Sequence, residues 1–506
     1  MMISPSPGHN RIAQVALLTM VSALLLAPVW LVRYPPLVDY PNHLARYFIL
    51  AHLKDPSLHL AQFYGSRWGF YPYVAVDLLA VALQWLLPID IVGRVILSIY
   101  LLGLPLATYF FLRQIGCESS YLSSWALVIA CGPVFLSGIL NDMLSEVLCF
   151  LLLGLWLKYL TKPRVACWLA LLMLGTLLYL THLVGFVVAG FVVLTYGLLK
   201  RQSAHRLLAS LSIFLPGVLL HLWSFVNGTG ADVSANYHPH HYQWELGDKF
   251  ALMINPFREY SRFAAAMTLA ALMISLVLAV WKNRELRPNY PWLGVAGAVL
   301  LVYLLTPTSY HYLGIRLLPF LFILSLSVAK IGRRARVLGV VGLLAFVLRS
   351  ADMDYGFISR QAELGRWQRS FAAIPQYSRV LPMVPLDERA FFRRDYLHFW
   401  AYGVIERGWF CPHLFHAPGI HPLVLQLPTD KIARLLAWPK ASYLEPGWTN
   451  VEIDPDWQSI QRNFEYLWVY DMPRFSTPIA SFGQLVYSDG TLNVFRVTSA
   501  TSAGSR

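Results

Sequence analysis

The sequence predicts an all-α polytopic membrane protein with about eleven transmembrane helices, one interfacial helix and a small C-terminal α/β external domain. The 506-residue chain is 57% hydrophobic and 13% charged, with a mean hydropathy of +0.51. Soluble domains carry about 25% charged residues, so this composition is typical of a membrane protein. Apolar runs near the length that crosses a bilayer recur along the chain, and Lys and Arg cluster in every second loop between them, as helical hairpins require.

Eleven apolar segments are predicted to span the membrane. They cover residues 12–32, 95–112, 121–140, 143–160, 165–181, 183–199, 207–225, 263–281, 291–307, 312–329 and 337–349. The first segment is too long for the core of a signal peptide, and no small-residue cleavage site follows it. We therefore expect it to be retained as the first span.

The stretch 73–87 decides the orientation of the first span. It is apolar, but it is bounded by Pro72 and Pro88 and carries Asp77, and its length is short for a span. If it lies in the interface, the N-terminus is cytoplasmic and Asp39 is external. If it spans the membrane, the N-terminus is external and Asp39 is cytoplasmic. The short length and the prolines favour the interfacial helix.

The basic clusters near residues 158–164, 200–206, 282–287 and 330–336 are then cytoplasmic. This topology predicts a membrane domain at 1–350 with external loops at 33–94 and 226–262. Residues 351–506 form the external domain. Within it we expect a helix and four short strands, at 357–373, 378–384, 466–470, 484–487 and 492–497. Asp489-Gly490, between the last two strands, predicts a hairpin turn.

The net charge of +13 is explained by positive-inside topology, since the basic residues sit in short loops between spans. This distribution argues against a nucleic-acid partner, which would need one basic soluble face. The five cysteines form neither a disulfide framework nor a CxxC metal motif. The chain has no phosphate-binding glycine loop with lysine, no HExxH and no GxSxG, so nothing indicates ATP use or a serine nucleophile.

The most informative motif is Asp-Tyr-Pro-Asn-His-Leu-Ala-Arg at residues 39–46, just beyond the first span. Asp39 could act as a general base or a metal ligand, with His43 and Arg46 binding phosphate. Alternatively, Asp39 could cap a helix that begins near Pro41. The two interpretations are compatible, because a cap also fixes where the carboxylate points. In such a helix His43 and Arg46 share one face.

Further polar groups are predicted at the external ends of the spans. Asp142 lies in a tight external turn, where it either has a function or meets the positive end of a helix dipole. His182 lies in another external turn, and Arg316 is about one turn inside the tenth span, next to His311. Each of these could bind a phosphate or serve only as a polar turn or interfacial anchor. The loop that contains Tyr237 and His238 is expected to cover the substrate.

The signature at 39–46 and the membrane region around it resemble the GT-C superfamily of integral membrane glycosyltransferases. The resemblance is closest to a bacterial branch with this octapeptide, and it covers roughly residues 12–349. In the superfamily the first external loop carries a catalytic acid, which maps to Asp39, and a second acid begins the fourth span, where Asp142 stands. A Thr-Lys pair often lies near the donor phosphate; here the pair is Thr181-His182, a departure from that pattern.

The resemblance implies inverting transfer of a sugar from a polyprenyl-phosphate donor to a lipid or glycan acceptor outside the cytoplasm. Asp39 would be the base, and Arg46, His182 and Arg316 would surround the phosphate. A divalent cation, Mg²⁺ or Mn²⁺, held by Asp39 and Asp142 is left open. The implied location is the bacterial inner membrane, with a cytoplasmic N-terminus and a periplasmic C-terminal domain.

Two other functions remain alternatives. A lipid-linked glycan transporter or assembly factor should carry paired intramembrane charges, and few ionisable residues lie mid-span. A polysaccharide polymerase or ligase of another membrane fold would depend on external arginines such as Arg316 rather than on Asp39.

Overall fold

The computed structural model describes residues 7–116, 119–227, 246–254, 260–307, 313–384, 397–416, 419–426, 457–472 and 475–498. Within these residues the chain is mostly α-helical. The α-helices are α1 (Pro7–Trp30), α2 (Tyr40–His52), α3 (Val74–Leu83), α4 (Ile89–Ile115), α5 (Ser124–Ala130), α6 (Pro133–Ser137), α7 (Leu140–Thr161), α8 (Val165–Thr181), α9 (Leu183–Leu199), α10 (Ala204–Leu211), α11 (Leu215–Val226), α12 (Leu246–Ile254), α13 (Arg262–Val280), α14 (Tyr290–Leu305), α15 (Leu313–Ser325), α16 (Arg334–Arg369), α17 (Ala401–Arg407), α18 (Trp457–Asn463) and α19 (Ser476–Ala480).

Six helical stretches in the described part of the chain are long and apolar enough to cross a membrane. They are Ile12–Trp30, Ile89–Ile115, Ser119–Ser137, Leu140–Thr161, Ala204–Val226 and Arg262–Val280. Shorter apolar helices accompany them: α3, α8, α9, α14 and α15. Every predicted span coincides, at least in part, with one of these helices or with α16. The apolar helices are therefore confirmed, whereas the number that cross the bilayer stays a prediction.

Helix α3 corresponds to the stretch predicted to lie in the interface. It has 10 residues, so it is about 15 Å long, half of the roughly 30 Å hydrocarbon core of a bilayer. A helix of this length cannot cross the membrane unaided. This supports the topology in which residues 33–94 stay on one side.

The basic clusters lie together at one end of the helix bundle. Helix α7 begins beside Asp142 and ends at Lys158, and α8 returns from Arg164 towards His182. Strand β2 (Arg287–Pro288) pairs with β3 (Ala329–Lys330), which brings the last two basic clusters together. Asp142 and His182 are thus at the helix ends away from the basic loops, the end that the positive-inside rule predicts to be external.

The third predicted span is broken near its middle, at residues 131–132, between α5 and α6. The guanidinium of Arg349, on α16, donates to the carbonyl oxygen of Cys131 at the break (3.3 Å). Beyond the break, the carbonyl oxygens of Leu136 and Ser137 accept hydrogen bonds from the backbone N–H groups of Val38 and Asp39 (3.2 and 2.8 Å). The break therefore provides acceptors that hold the chain just before α2.

Helix α16 is continuous over 36 residues and joins the last predicted span to the helix predicted at 357–373. The predicted boundary between residues 350 and 351 falls inside it. Its last turns pack on the sheet of the C-terminal region, where Trp468 donates through Nε1 to Ser370 Oγ (3.0 Å) and Trp367 meets Tyr470 edge to face.

The C-terminal sheet has the strand order β4–β6–β8–β7. The strands are β4 (Val380–Met383), β6 (Tyr466–Tyr470), β7 (Gly483–Ser488) and β8 (Leu492–Val497). All four predicted strands are confirmed. The predicted hairpin is also confirmed: β7 and β8 are antiparallel, Gly490 adopts φ +95°, and Asp489 Oδ1 accepts from the N–H of Leu492 (2.8 Å).

C-terminal residues also pack against the segment that follows α1, which is predicted to be external. Strand β1 (Tyr64–Ser66) pairs with β5 (Leu423–Leu425) in an antiparallel ladder. Upstream of α2, the Tyr34 hydroxyl donates to Glu406 (2.9 Å) and the Tyr34 N–H donates to Gln361 (3.1 Å). Side chains that follow the last membrane helix can therefore reach the neighbourhood of Asp39.

The orientation can be tested by thiol labelling of two exposed lysines at opposite ends of the bundle. A membrane-impermeant maleimide should label Lys54→Cys in intact cells but label Lys162→Cys only after permeabilisation. The unsubstituted chain is the control for its own thiols. The reverse pattern would place residues 39–46 in the cytoplasm and would contradict the predicted topology.

Candidate functional site

Asp39 is held by its backbone at the start of α2. In addition to the bond to Ser137, its carbonyl oxygen accepts from the N–H of His43 (3.1 Å) as the helix begins. Gly138 makes the close approach possible: it adopts φ +70°, and a Cβ at this position would lie 2.8 Å from the backbone nitrogen of Tyr40. Only glycine combines that conformation with that proximity without strain.

The carboxylate of Asp39 does not cap α2, although Asp39 occupies the N-cap position. Instead its Oδ1 lies 3.4 Å from Nε2 of His398, a residue of the C-terminal region. The Asp39 side chain is 20% exposed and that of His398 5%. The helix start near Pro41 is confirmed, but the side chain is not used as a cap.

Arg46 is fully buried and forms a bidentate ion pair with Asp77 of α3. Its Nε donates to Asp77 Oδ1 (2.7 Å) and its Nη2 donates to Oδ2 (3.3 Å). The remaining nitrogen, Nη1, is buried and has no hydrogen-bond partner within the described residues. A phosphate bound by Arg46 would therefore use Nη1, and Asp77 fixes the direction in which this group points.

Asp142 is completely buried in the first turn of α7. Its Oδ2 lies 3.7 Å from Nε of Arg316, on α15, and its Oδ1 lies 3.2 Å from Nδ1 of His182. The N–H of Val184 also donates to that Nδ1 (3.2 Å), so the nitrogen is an acceptor. Neither carboxylate oxygen has a hydrogen-bond partner among the described residues. The nearest charge that balances Asp142 is therefore Arg316.

Asn141 connects the Asp142 turn to the segment that contains α2 and Tyr73. Its Nδ2 donates to the carbonyl oxygen of Tyr73 (2.6 Å), and its Oδ1 accepts from the hydroxyl of Tyr47, on α2 (3.5 Å). The Tyr73 ring meets His182 edge to face, with centroids 4.6 Å apart. One backbone carbonyl, one amide and two aromatic rings thus join α2, α7 and the corner between α8 and α9.

His43 lies between the Asp39 and Asp142 ends of the site. Its ring centroid is 6.0 Å from Tyr47 and 5.0 Å from Phe415, and neither ring nitrogen has a hydrogen-bond partner in the described part of the chain. Burial lowers the pKa of His43 well below that of a free histidine, and nearby cations, among them Arg46 and Arg316, lower it further. His43 is therefore neutral at neutral pH, and its ring can donate one hydrogen bond and accept another.

The structure brings together six of the predicted site residues: Asp39, His43, Arg46, Asp142, His182 and Arg316. The other three, Tyr237, His238 and His311, lie outside the described residues, and their substrate-binding role stays a prediction.

Sequence reasoning missed the groups that arrive from distant parts of the chain. His398 stands beside Phe399 and Trp400 in the sequence, and both of these residues are buried. His421 also lines the site, since its ring is 5.9 Å from that of Phe415. The local sequence gives a signal only for His398, a histidine next to aromatic residues.

The described residues contain no group of three or more His, Cys, Asp or Glu side chains that could hold a metal ion. Asp142 already faces the guanidinium of Arg316, and Asp39 faces His398. These residues do not fit a closed metal site made by protein ligands alone.

No family profile matches the chain, and no curated protein matches it. Two solved structures of ArnT from Cupriavidus metallidurans are similar to it, one in the apo state and one bound to undecaprenyl phosphate. Both are 15% identical in sequence, and each match covers 99% of this chain and 100% of the ArnT chain, with TM-scores of 0.48 and 0.47. Such values do not establish a shared activity.

The Arg46–Asp77 pair should be essential for stability. Because Asp77→Ala leaves a buried guanidinium without its counter-charge, we expect the free energy of unfolding in detergent to fall by about 3–5 kcal/mol. The double variant Arg46→Met/Asp77→Leu should lose less than the sum of the single variants Arg46→Met and Asp77→Leu. Strictly additive losses would contradict a direct pair.

Stability should also fall in acid because of the buried histidines. Burial lowers the pKa of His413 to about 3 and lowers those of His43 and His421 well below the usual value. Below about pH 6.5 the unfolded chain binds protons that the folded chain does not, so stability decreases with falling pH. The melting temperature should decline between pH 7 and pH 5, and a flat profile would show that these histidines are protonated in the folded state.

Proposed function

We propose that this chain is a glycosyltransferase of the GT-C type. It transfers a sugar from a polyprenyl-phosphate donor to a lipid or glycan acceptor at the external face of the bacterial inner membrane. The observation that supports this function is the meeting of carboxylate, imidazole and guanidinium groups from α2, α7, the α8–α9 corner and α15. They meet at the helix ends away from the basic loops, where a lipid phosphate and an external acceptor can both arrive.

The exposed fractions of the side chains suggest a division of roles. Asp39 and Arg316 are 20% and 19% exposed, whereas Asp142 is fully buried. A substrate can reach Asp39 and Arg316 but not Asp142. Asp39 is therefore assigned as the general base, and Arg316 as the cation that meets the phosphate.

The transfer needs both groups. As Asp39 takes the proton of the acceptor hydroxyl, the hydroxyl oxygen attacks the anomeric carbon of the sugar. The bond from that carbon to the phosphate oxygen breaks, and the polyprenyl phosphate leaves with the bonding electron pair. Arg316 and Nη1 of Arg46 stabilise the charge that grows on the leaving phosphate. The products are the glycosylated acceptor, polyprenyl phosphate and a proton on Asp39.

Asp142 acts in this proposal through Arg316. Its Oδ2 orients the guanidinium of Arg316, while its Oδ1 lies beside the neutral ring of His182. A positioned guanidinium supplies the positive charge that a divalent cation would otherwise supply at a leaving phosphate. The predicted loop residues Tyr237, His238 and His311 complete the proposed substrate site.

Asp39→Asn should lower kcat by about 10²- to 10⁴-fold, the contribution of a positioned general base, with little change in KM. The assay uses the full-length protein in lipid nanodiscs. It measures release of polyprenyl phosphate from a panel of synthetic polyprenyl-phosphate hexoses, with bacterial membrane lipid extract as acceptor. Asp90→Asn, an exposed carboxylate at the start of α4, is the control and should keep full activity.

Three results would contradict the proposal in different ways. Full activity of Asp39→Asn together with loss of activity in Arg316→Ala would favour a polymerase or ligase that depends on external arginines. Binding of the donor without release of polyprenyl phosphate from any donor of the panel would favour a transporter or assembly factor. Full activity of both Asp39→Asn and Arg316→Ala would show that neither residue takes part in the transfer, which would contradict the proposed site.

A further inference from the structure

We propose that His398 is a positioning residue for Asp39: Asn42 holds its ring as the tautomer with hydrogen on Nε2, and that hydrogen is donated to the Asp39 carboxylate. This inference rests on the proposed function, because it explains how the base is aimed. It goes beyond that function by giving the C-terminal region a part in the transfer step.

The first step is the orientation of the Asn42 side-chain amide. Its Oδ1 accepts from the backbone N–H of Phe415 (2.9 Å), and its Nδ2 donates to the backbone carbonyl of His413 (3.0 Å). A backbone N–H can only donate and a carbonyl can only accept, so the two ends of the amide cannot be exchanged. Asn42 is also completely buried, which leaves its side chain no other partners in solvent.

The second step is the tautomer of His398. Nδ2 of Asn42 lies 3.1 Å from Nδ1 of His398, and its second hydrogen is available for that contact. Because Nδ2 is a donor, Nδ1 must accept, and a neutral imidazole then carries its hydrogen on Nε2. That nitrogen is the one that lies 3.4 Å from Asp39 Oδ1.

The third step is the rigidity of the contact. The His398 ring packs edge to face against Trp400 and Phe415, with centroids 5.8 and 5.3 Å away. The backbone of Asp39 is fixed by its bond to Ser137. With both ends of the contact held, the hydrogen bond selects one orientation of the carboxylate and leaves Oδ2 for the acceptor hydroxyl.

The contact between Asn42 and His398 excludes a hydrogen on Nδ1, because that hydrogen would point at the N–H group of Asn42. His398 therefore presents the hydrogen on Nε2 to the Asp39 carboxylate.

A matched pair of substitutions in the full-length protein tests this role. Gln and Met have nearly the same length, but only Gln places an N–H donor where Nε2 of histidine stood. In the assay of polyprenyl phosphate release, His398→Gln should keep most of kcat. His398→Met should lower kcat about tenfold or more, a part of the contribution of a positioned base, with KM for the donor unchanged in both variants.

Equal kcat values for the two variants would overturn the inference, as would a change confined to KM. If His398→Met does not fold, as judged by its melting temperature, His398→Phe replaces it, because phenylalanine keeps the ring packing and lacks the donor. Failure of this inference is distinguishable from failure of the proposed function. If Asp39→Asn is inactive and both His398 variants keep the same kcat, only the positioning role of His398 is contradicted. If Asp39→Asn is active, the proposed function of Asp39 and the positioning role are both contradicted.

Discussion

The ion pair between Arg46 and Asp77 is the interaction on which the site's geometry depends. Two charges removed from water are stable only when they are closely paired, so Arg46 must point into α3 and helix α2 cannot rotate. Asn42, one turn earlier, is bound to the backbone of residues 413–415, and Asp39 is bound to Ser137. The octapeptide is thus fixed to three other parts of the chain within eight residues, and its free polar atoms can face only the space between them.

The unsatisfied groups in that space differ from Lys249, a buried charge in another part of the described chain. The Lys249 ammonium donates to the carbonyl oxygens of Tyr303, Leu304 and Thr306, at the end of α14, and needs no further partner. Asp142 and both nitrogens of His43 lack such bonds. Buried polar atoms without partners are costly, and they mark positions where a protein gives up stability for a function. A ligand with a phosphate or hydroxyl group would supply the hydrogen bonds that His43 lacks.

The sequence predicts the parts of this molecule that depend on local pattern. Apolar length located the helices, and Asp489-Gly490 located the hairpin, since each signal lies within a few residues of its effect. Helix α16 was divided in two because its apolar half and its polar half look like different elements, although no proline or glycine pair separates them. His398 could not have been assigned, because its contact with Asn42 joins residues 356 positions apart, and no spacing within either segment encodes that contact.

The side chain of Asp39 separates the structural interpretation of the octapeptide from the functional one. A carboxylate at an N-cap usually accepts a bond from the first turn of the helix, which stabilises the helix by about 1 kcal/mol. Asp39 has the position but makes no such bond, and its backbone is already in the helical region (φ −89°, ψ −14°). The helix start is held by other means, namely the backbone bond to Ser137 and a proline in the first turn. The start of α2 therefore does not depend on the Asp39 carboxylate. This carboxylate points towards His398 and remains partly exposed. This direction fits the proposed base, because a carboxylate that takes a proton from an incoming hydroxyl must be turned away from the helix and remain accessible.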